Sequence, residues 1–508
     1  MDINDIDEIK FQGMIYLIEG NLDAAINCFQ NCLKLEPDDV DIYNSLAYAL
    51  TEQGKNYEAI AYLQKAFQLQ PDIVDSYNNF LLKLLRTGES NTAILSAISA
   101  LQVKPTWSQC YLYLGYALQQ QDRHSEARDC GLGLLPSHLL KEFCPLIQDW
   151  LIISKSAPGE QINYLDIHPK SQININPPLT LDDNYHPTFL ETPIQFSETF
   201  VAIVPNSRIW VDFYTSAIIT SDHQLVTDVS IGNSALIATS DKLPPITNIE
   251  GTAACLAIRY SSNYFHWMFD LLPRIELLRL SGIDLNSINN FIINNYDYAF
   301  QKETLNSFGV NEDKIIYNGD YSYIQVNQVL IPSSPFNIGI IPQWSCEFLR
   351  RQFLPSQTIK SSQPERIYIS RHQASYRRVF NEDILISFLQ KLGFESYTLE
   401  ALSVAEQASL FAGAKVIIAP HGAGLTNIVF CNPGTKVIEI FLPNEILTYY
   451  WIISHQIHLE YYYFIGEMIQ NSSPSQPPNQ PISIVTNQED ILVNLDSLLN
   501  LMKFAGVV

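Results

Sequence analysis

"AKVIIAPHGAGLTNIVFCNPGTKVIEI", Ala414 to Ile440, decides how the second half of this chain folds. The apolar run Val416–Ala419 reads as a buried strand. A tight turn holding His421, Gly422 and Gly424 follows, and a short helix starts near Leu425. Pro433 and Gly434 then turn the chain into a second strand that closes on Glu439. Strand, helix and strand at this spacing are one unit of a parallel sheet. Glycines let backbone approach a ligand, and the N–H groups and aligned dipoles of a helix start attract phosphate. The turn therefore predicts a grip on a nucleoside diphosphate, with Glu439 on its ribose. The same residues also suit an ordinary tight turn, and Glu439 a solvated strand edge. No Walker Gly-Lys-Ser/Thr follows, and the GxGxxG of dinucleotide sites, with its acid ~20 residues on, is missing; a Rossmann dehydrogenase is thereby disfavoured.

Upstream the alternation continues: strand "RIYISR", helix "NEDILISFLQKLG", strand "ESYTL" and helix "SVAEQASLFAGA". Short apolar runs from Thr199, "FVAIV", "ACLAIRY", "NNFIINN" and "QVLIP", predict another α/β lobe. The expected lobes are 196–345 and 346–508, with a ligand cleft at the carboxyl ends of their strands. A Pro/Ser/Gln-rich loop, "NSSPSQPPNQP", precedes a last helix near 489–504, and a Pro/Asn/Asp-rich connector fills 151–195.

Two further stretches carry chemistry. "ISRHQASYRRVFNE" places Arg371 past a strand end and Arg377 and Arg378 in the loop before a helix. Guanidinium forks match diphosphate oxygens, although a solvated loop explains them as well. "SSNYFHWMFDLLPRI" puts His266 and Asp270 four apart, on one helix face. A carboxylate holding an imidazole in one tautomer makes a general base; the bland alternative is a polar pair satisfied among Trp267, Met268 and Phe269.

The first quarter, 1–150, is periodic. Gly20, Gly54 and Gly88 are 34 residues apart, as are Pro37, Pro71 and Pro105, Tyr43, Tyr77 and Tyr111, and Ala25, Ala59, Ala93 and Ala127. Cys32 occupies the slot of Ala66 and Ala100. This stretch resembles the tetratricopeptide repeat, an α-solenoid of helix pairs with a concave face for proteins.

Composition narrows the function. A net charge of −23 disfavours nucleic acid and anionic lipid as partners. No apolar run approaches the ~18 residues of a membrane span. The eight cysteines show no C-x-x-C pair, and the start "MDINDIDEIK" shows no secretory signal, so a cytoplasmic location is expected.

Together the three stretches resemble glycosyltransferase family 61. Asn263, His266, Trp267, Asp270, Pro273 and Arg274 match its first block. Arg371, Arg377, Arg378 and Asn381 match its second, and His421 to Asn427, Phe430, Pro433, Gly434 and Glu439 its third; Glu400 and Gln407 match the stretch between. The resemblance covers about 200–460. It implies a two-lobed, Rossmann-like GT-B fold after the repeats, and inverting transfer from a nucleotide sugar, usually a uridine diphosphate sugar, to a protein or glycan hydroxyl. His266 with Asp270 is the expected base. Arg371, Arg377, Arg378, His421, Gly422, Ala423, Gly424, Leu425, Asn427 and Glu439 are expected to bind the donor, supported by Asn263, Arg274, Glu400 and Gln407. No Asp-x-Asp lies beyond the repeats, which fits a site with neither metal nor cofactor. The rival is a repeat scaffold carrying a degenerate, non-catalytic transferase domain.

Overall fold

The computed structural model describes residues 3–72, 74–143, 152–156, 162–181, 185–240, 243–317, 321–334, 339–354, 363–375, 377–469 and 490–508. The Pro/Ser/Gln-rich loop lies outside them, as does part of the connector. The chain forms two compact units. One is Met1–Ile153 with Ser216–Thr247, and the other is Ser154–Thr215 with Asn248–Val508. Among the described residues no helix is long and apolar enough to cross a membrane.

The first unit is built of helix pairs. Second helices start at Leu22, Asn56, Ser90 and His124, each 34 residues after the last. Gly20, Gly54 and Gly88 punctuate the pairs at φ of 76°, 77° and 75°, the left-handed turn that glycine adopts cheaply. Ala25, Ala59, Ala93 and Ala127 are at most 1% exposed, so the small side chains sit where paired helices touch.

Residues 216–247 were expected in the first α/β lobe, yet they pack with the repeats. The Asn233 side chain accepts from the Leu135 N–H at 2.7 Å and donates to the Gly133 carbonyl at 2.8 Å and the Tyr111 hydroxyl at 3.0 Å. Leu236 enters the repeat core beside it.

The second unit holds two sheets. The first contains β1 (Asn163–His168), β2 (Thr199–Asp212), β3 (Thr247–Cys255), β4 (Asn290–Ile292), β5 (Ile315–Ile316) and β6 (Tyr321–Pro332). Their order is β2-β6-β3-β4-β5, with β1 on β2. It is mixed rather than parallel: β2 and β6 run antiparallel over most of their length, and β3, β4 and β5 run parallel. That pairing joins segments far apart in the chain, where no local pattern reveals direction.

The second sheet follows the sequence pattern. Strands β7 (Arg366–Ile369), β8 (Glu395–Tyr397), β9 (Val416–Pro420), β10 (Lys436–Phe441) and β11 (Glu460–Ile465) lie in the order β8-β7-β9-β10-β11, all parallel. Every residue of β9 is buried, as a strand covered on both faces requires. One hydrophobic core runs from Ala254 and Phe291 through Trp267 to Ile417 and Val437, so the two sheets share an interior.

Candidate active site

The tip of β9 carries the turn. His421 donates its backbone N–H to the Ile440 carbonyl at 2.8 Å, which anchors the turn to β10. A 3₁₀ helix, Ala423–Phe430, starts at once, earlier and tighter than the expected helix at Leu425. Packing sets that tightness: a Cβ on Gly424 would lie 3.1 Å from Leu399 and 3.3 Å from Ile369. On Gly422 a Cβ would lie 1.8 Å from Nη1 of Arg371, so the guanidinium rests on bare backbone. Tyr450 donates to the Gly422 carbonyl at 2.7 Å and closes the turn from the other side.

Behind the turn is a buried relay. Nδ1 of His421 bonds one carboxylate oxygen of Glu439, and the Tyr461 hydroxyl donates to the other. Glu439 has no exposure. Burial, then the Glu439 charge, push the Tyr461 hydroxyl well above the usual tyrosine range, so it donates as a neutral phenol.

The helix from the first sheet begins at Asn263, whose side chain caps the Phe265 N–H at 2.9 Å. After Tyr264–His266 it widens into a π turn, Trp267–Leu271, before continuing as Leu272–Leu280. Pro273 is the local reason: it has no N–H, and its ring would clash with the carbonyl four residues back. The Leu272 N–H reaches Trp267 instead, one residue further than in an α-helix. Such bulges often mark functional sites. Across the wide turn, His266 Nδ1 meets Asp270 Oδ2 at 2.6 Å, with 13% and 14% of the side chains exposed.

One cavity of about 500 Å³ is lined by both histidines, a size suited to a small-molecule ligand. Asn263, Tyr260 and Tyr214 border it from the first sheet, and Arg371, Arg377 and Ala423 from the second. Tyr260 and Arg377 hold left-handed backbones, φ 60° and 55°, strained for residues other than glycine. The Arg371 Nε donates to the Arg377 carbonyl at 3.3 Å, and Arg377 pairs with Glu445 at 2.9 Å. Among the described residues no three His, Cys, Asp or Glu side chains cluster as a metal site.

The glycosyltransferase 61 family model matches residues 264–438, which contain His266, Asp270 and His421 and stop one residue before Glu439, and tetratricopeptide models match 13–54 and 40–73. The chain carries tetratricopeptide repeats and then a glycosyltransferase 61 domain. It is 30% identical over 88 residues to "Xylan glycosyltransferase MUCI21" of Arabidopsis thaliana, 17% of each chain. It is 39% identical over 61 residues to "Beta-1,2-xylosyltransferase RCN11" of Oryza sativa subsp. japonica, 12% of this chain and 11% of that one. The chain thus spans less than a fifth of these curated relatives. A solved structure of MamA is 23% identical with a TM-score of 0.21, covering 26% of this chain and 77% of that one.

Asn263, one residue before the matched span, and His266, Arg371, Arg377, His421, Gly422 and Ala423 within it come together at the cavity. Other expected donor ligands do not line it. Both Glu439 oxygens are engaged with His421 and Tyr461, so its place is behind the histidine and not on a ribose. Arg378 is turned to Asp490 at 2.9 Å. Leu425 is 1% exposed and Gly424 serves packing. Asn427 is buried, donating to Gln407 at 2.7 Å and accepting from Tyr264 at 2.9 Å, which ties the two sheets. Arg274 is buried, donating to the Ala257 carbonyl at 2.8 Å, and Glu400 is exposed.

No motif in the sequence points to Tyr449. Its ring stacks on Phe265 at 5.1 Å and lies so close to Gly339 that a Cβ there would meet it at 1.9 Å. Burial raises its hydroxyl above the ordinary range, reinforced by Asp270. Adjacent tyrosines in an otherwise apolar run are the one signal that could have found it.

Proposed function

We propose that the glycosyltransferase 61 domain moves a sugar from a nucleoside diphosphate donor, a uridine diphosphate sugar, to a hydroxyl of a glycan or protein acceptor, with inversion. The observation that carries the reading is a single cavity with His266, bonded to Asp270, on one wall and two arginines beside the glycine turn on the other. The two-sheet unit corresponds to a GT-B arrangement in this reading. The names of the matched relatives favour a glycan acceptor, and the repeats would help to recruit it.

In the proposed step the acceptor hydroxyl gives its proton to Nε2 of His266, whose Nδ1–H is held by Asp270. Its oxygen forms a bond to the anomeric carbon while the bond from that carbon to the phosphate oxygen breaks. The electron pair leaves with the diphosphate, and the sugar inverts. Arg371 and Arg377 meet the growing charge, with His421 beside them, so no metal is required. Glu439 and Tyr461 act by fixing the His421 ring.

Calorimetric titration with uridine, guanosine, cytidine and thymidine diphosphates in chelator tests the donor. Selective binding of uridine diphosphate is expected. Binding of none of the four would refute the reading and favour the scaffold.

A further inference from the structure

The end of the chain lies along the loop that carries the arginines. The Arg378 backbone N–H, Nε and Nη2 all donate to Asp490, at 3.2, 3.3 and 2.9 Å. Asp490 is only 5% exposed. The Ile491 N–H donates to the Arg378 carbonyl at 2.7 Å, and the Phe380 N–H to the Ile491 carbonyl at 2.8 Å. Asn381 and Val493 then exchange bonds of 2.8 and 3.0 Å. Residues 378–381 are thus paired step by step with 490–493. The helix that follows, Leu495–Phe504, anchors the arrangement by burying Leu498, Leu501 and Met502 in a core with Tyr368 of β7 and Ile418 of β9.

Immediately before this paired segment stands Arg377, which lines the cavity on a left-handed backbone. Such a conformation persists at a non-glycine residue only where the surroundings impose it. One peptide away, the carboxylate of Asp490 takes both backbone and side-chain donors of Arg378. That contact fixes the chain direction as it leaves Arg377. The Arg377 carbonyl in turn receives Arg371 Nε, so the orientation of one arginine passes to the other.

We propose that Asp490 and Arg378 form a positioning clamp, by which the C-terminal strand sets the turn at Arg377 and aims Arg377 and Arg371 at the donor diphosphate. This rests on the donor reading above. Arg378 is then a positioning residue, and the C-terminal segment is part of the donor site without touching the ligand.

The test uses the full chain and its Asp490→Ala, Asp490→Asn, Arg377→Ala and Asp490→Ala/Arg377→Ala variants. Hydrogen exchange is followed at the amides of 377–381 and of β9, and uridine diphosphate is titrated. Asp490→Ala should speed exchange at Phe380 while leaving β9 protected, and weaken binding roughly tenfold. In the Arg377→Ala background it should weaken binding little further, because it acts through that side chain. Asp490→Asn, which keeps an acceptor for the Arg378 N–H, should fall between. The clamp is overturned if exchange in the loop is unchanged. It is equally overturned if Asp490→Ala weakens binding as much without the Arg377 side chain as with it. Should the wild type bind no nucleoside diphosphate, the donor reading fails separately, and loop exchange alone decides whether the clamp exists. Protection lost in β9 as well would mark general unfolding of Asp490→Ala, and the same two measurements on Asp490→Asn then decide.

Discussion

Gly422→Ala isolates one atom-scale feature of the proposed donor site. The glycine has φ 168°, an extended backbone that any residue adopts, so the added methyl brings no backbone strain. It would instead lie 1.8 Å from Nη1 and 2.6 Å from Cζ of Arg371. The arginine is the flexible partner and must swing away, since the turn is held by the Tyr450 hydroxyl and the Ile440 carbonyl. A displaced guanidinium forfeits a hydrogen bond to a charged group, worth about 1.5–3 kcal/mol. That corresponds to roughly 10- to 150-fold weaker uridine diphosphate binding. Fold stability should change by less than about 1 kcal/mol, because only the far end of one side chain moves. Calorimetry on Gly422→Ala, Arg371→Ala and the double variant forms a cycle. The double variant should bind no worse than Arg371→Ala, because both changes remove the same contact. Additive losses, or full affinity in Gly422→Ala, would refute the claim that the glycine exists to seat the arginine on a phosphate.

Two other outcomes follow from the geometry. His266→Ala should lower turnover by about 10²–10⁴-fold while leaving the uridine diphosphate dissociation constant within about twofold, since the base acts on the acceptor; steady-state kinetics beside calorimetry separates the two, and an unchanged kcat would move the base elsewhere. Asn233→Ala removes the acceptor for the buried Leu135 N–H and should destabilise the repeat unit by about 2 kcal/mol, seen as faster amide exchange around Leu135 with β9 unaffected.

What is legible in the sequence is what is local. The repeat shows because glycine, alanine, proline and tyrosine each keep the period, and each has a physical job within its own helix pair. His266 and Asp270 show because one helical turn joins them, although the π turn that Pro273 imposes does not. Glu439 reads as a strand tip, but β10 continues to Phe441, buried from Val437 on; the register Pro420↔Ile440 puts Glu439 beside His421 rather than in the cavity lining. Arg377 and Arg378 are neighbours that face different partners, and only the left-handed backbone at Arg377 explains it. The Asp490 that claims Arg378 stands 112 residues later. Tyr449 meets Gly339 across a similar gap in the chain. Contacts of that range leave no local trace.

The two histidine pairs share one chemistry, yet their surroundings assign them different work. In both, a carboxylate on Nδ1 fixes the ring and directs Nε2 elsewhere. His266 and Asp270 keep 13% and 14% of their side chains exposed, so in the proposed reaction a proton taken from an acceptor has a path to solvent. Glu439 has no exposure, and its second oxygen is closed by Tyr461, which burial keeps neutral. A proton moved onto that carboxylate would have nowhere to go. The inner pair is therefore suited to hold a fixed polarity beside Arg371, and the outer pair to accept and release. In the proposed reaction a base must reset with every cycle, and of the two pairs His266 with Asp270 is the more open to solvent.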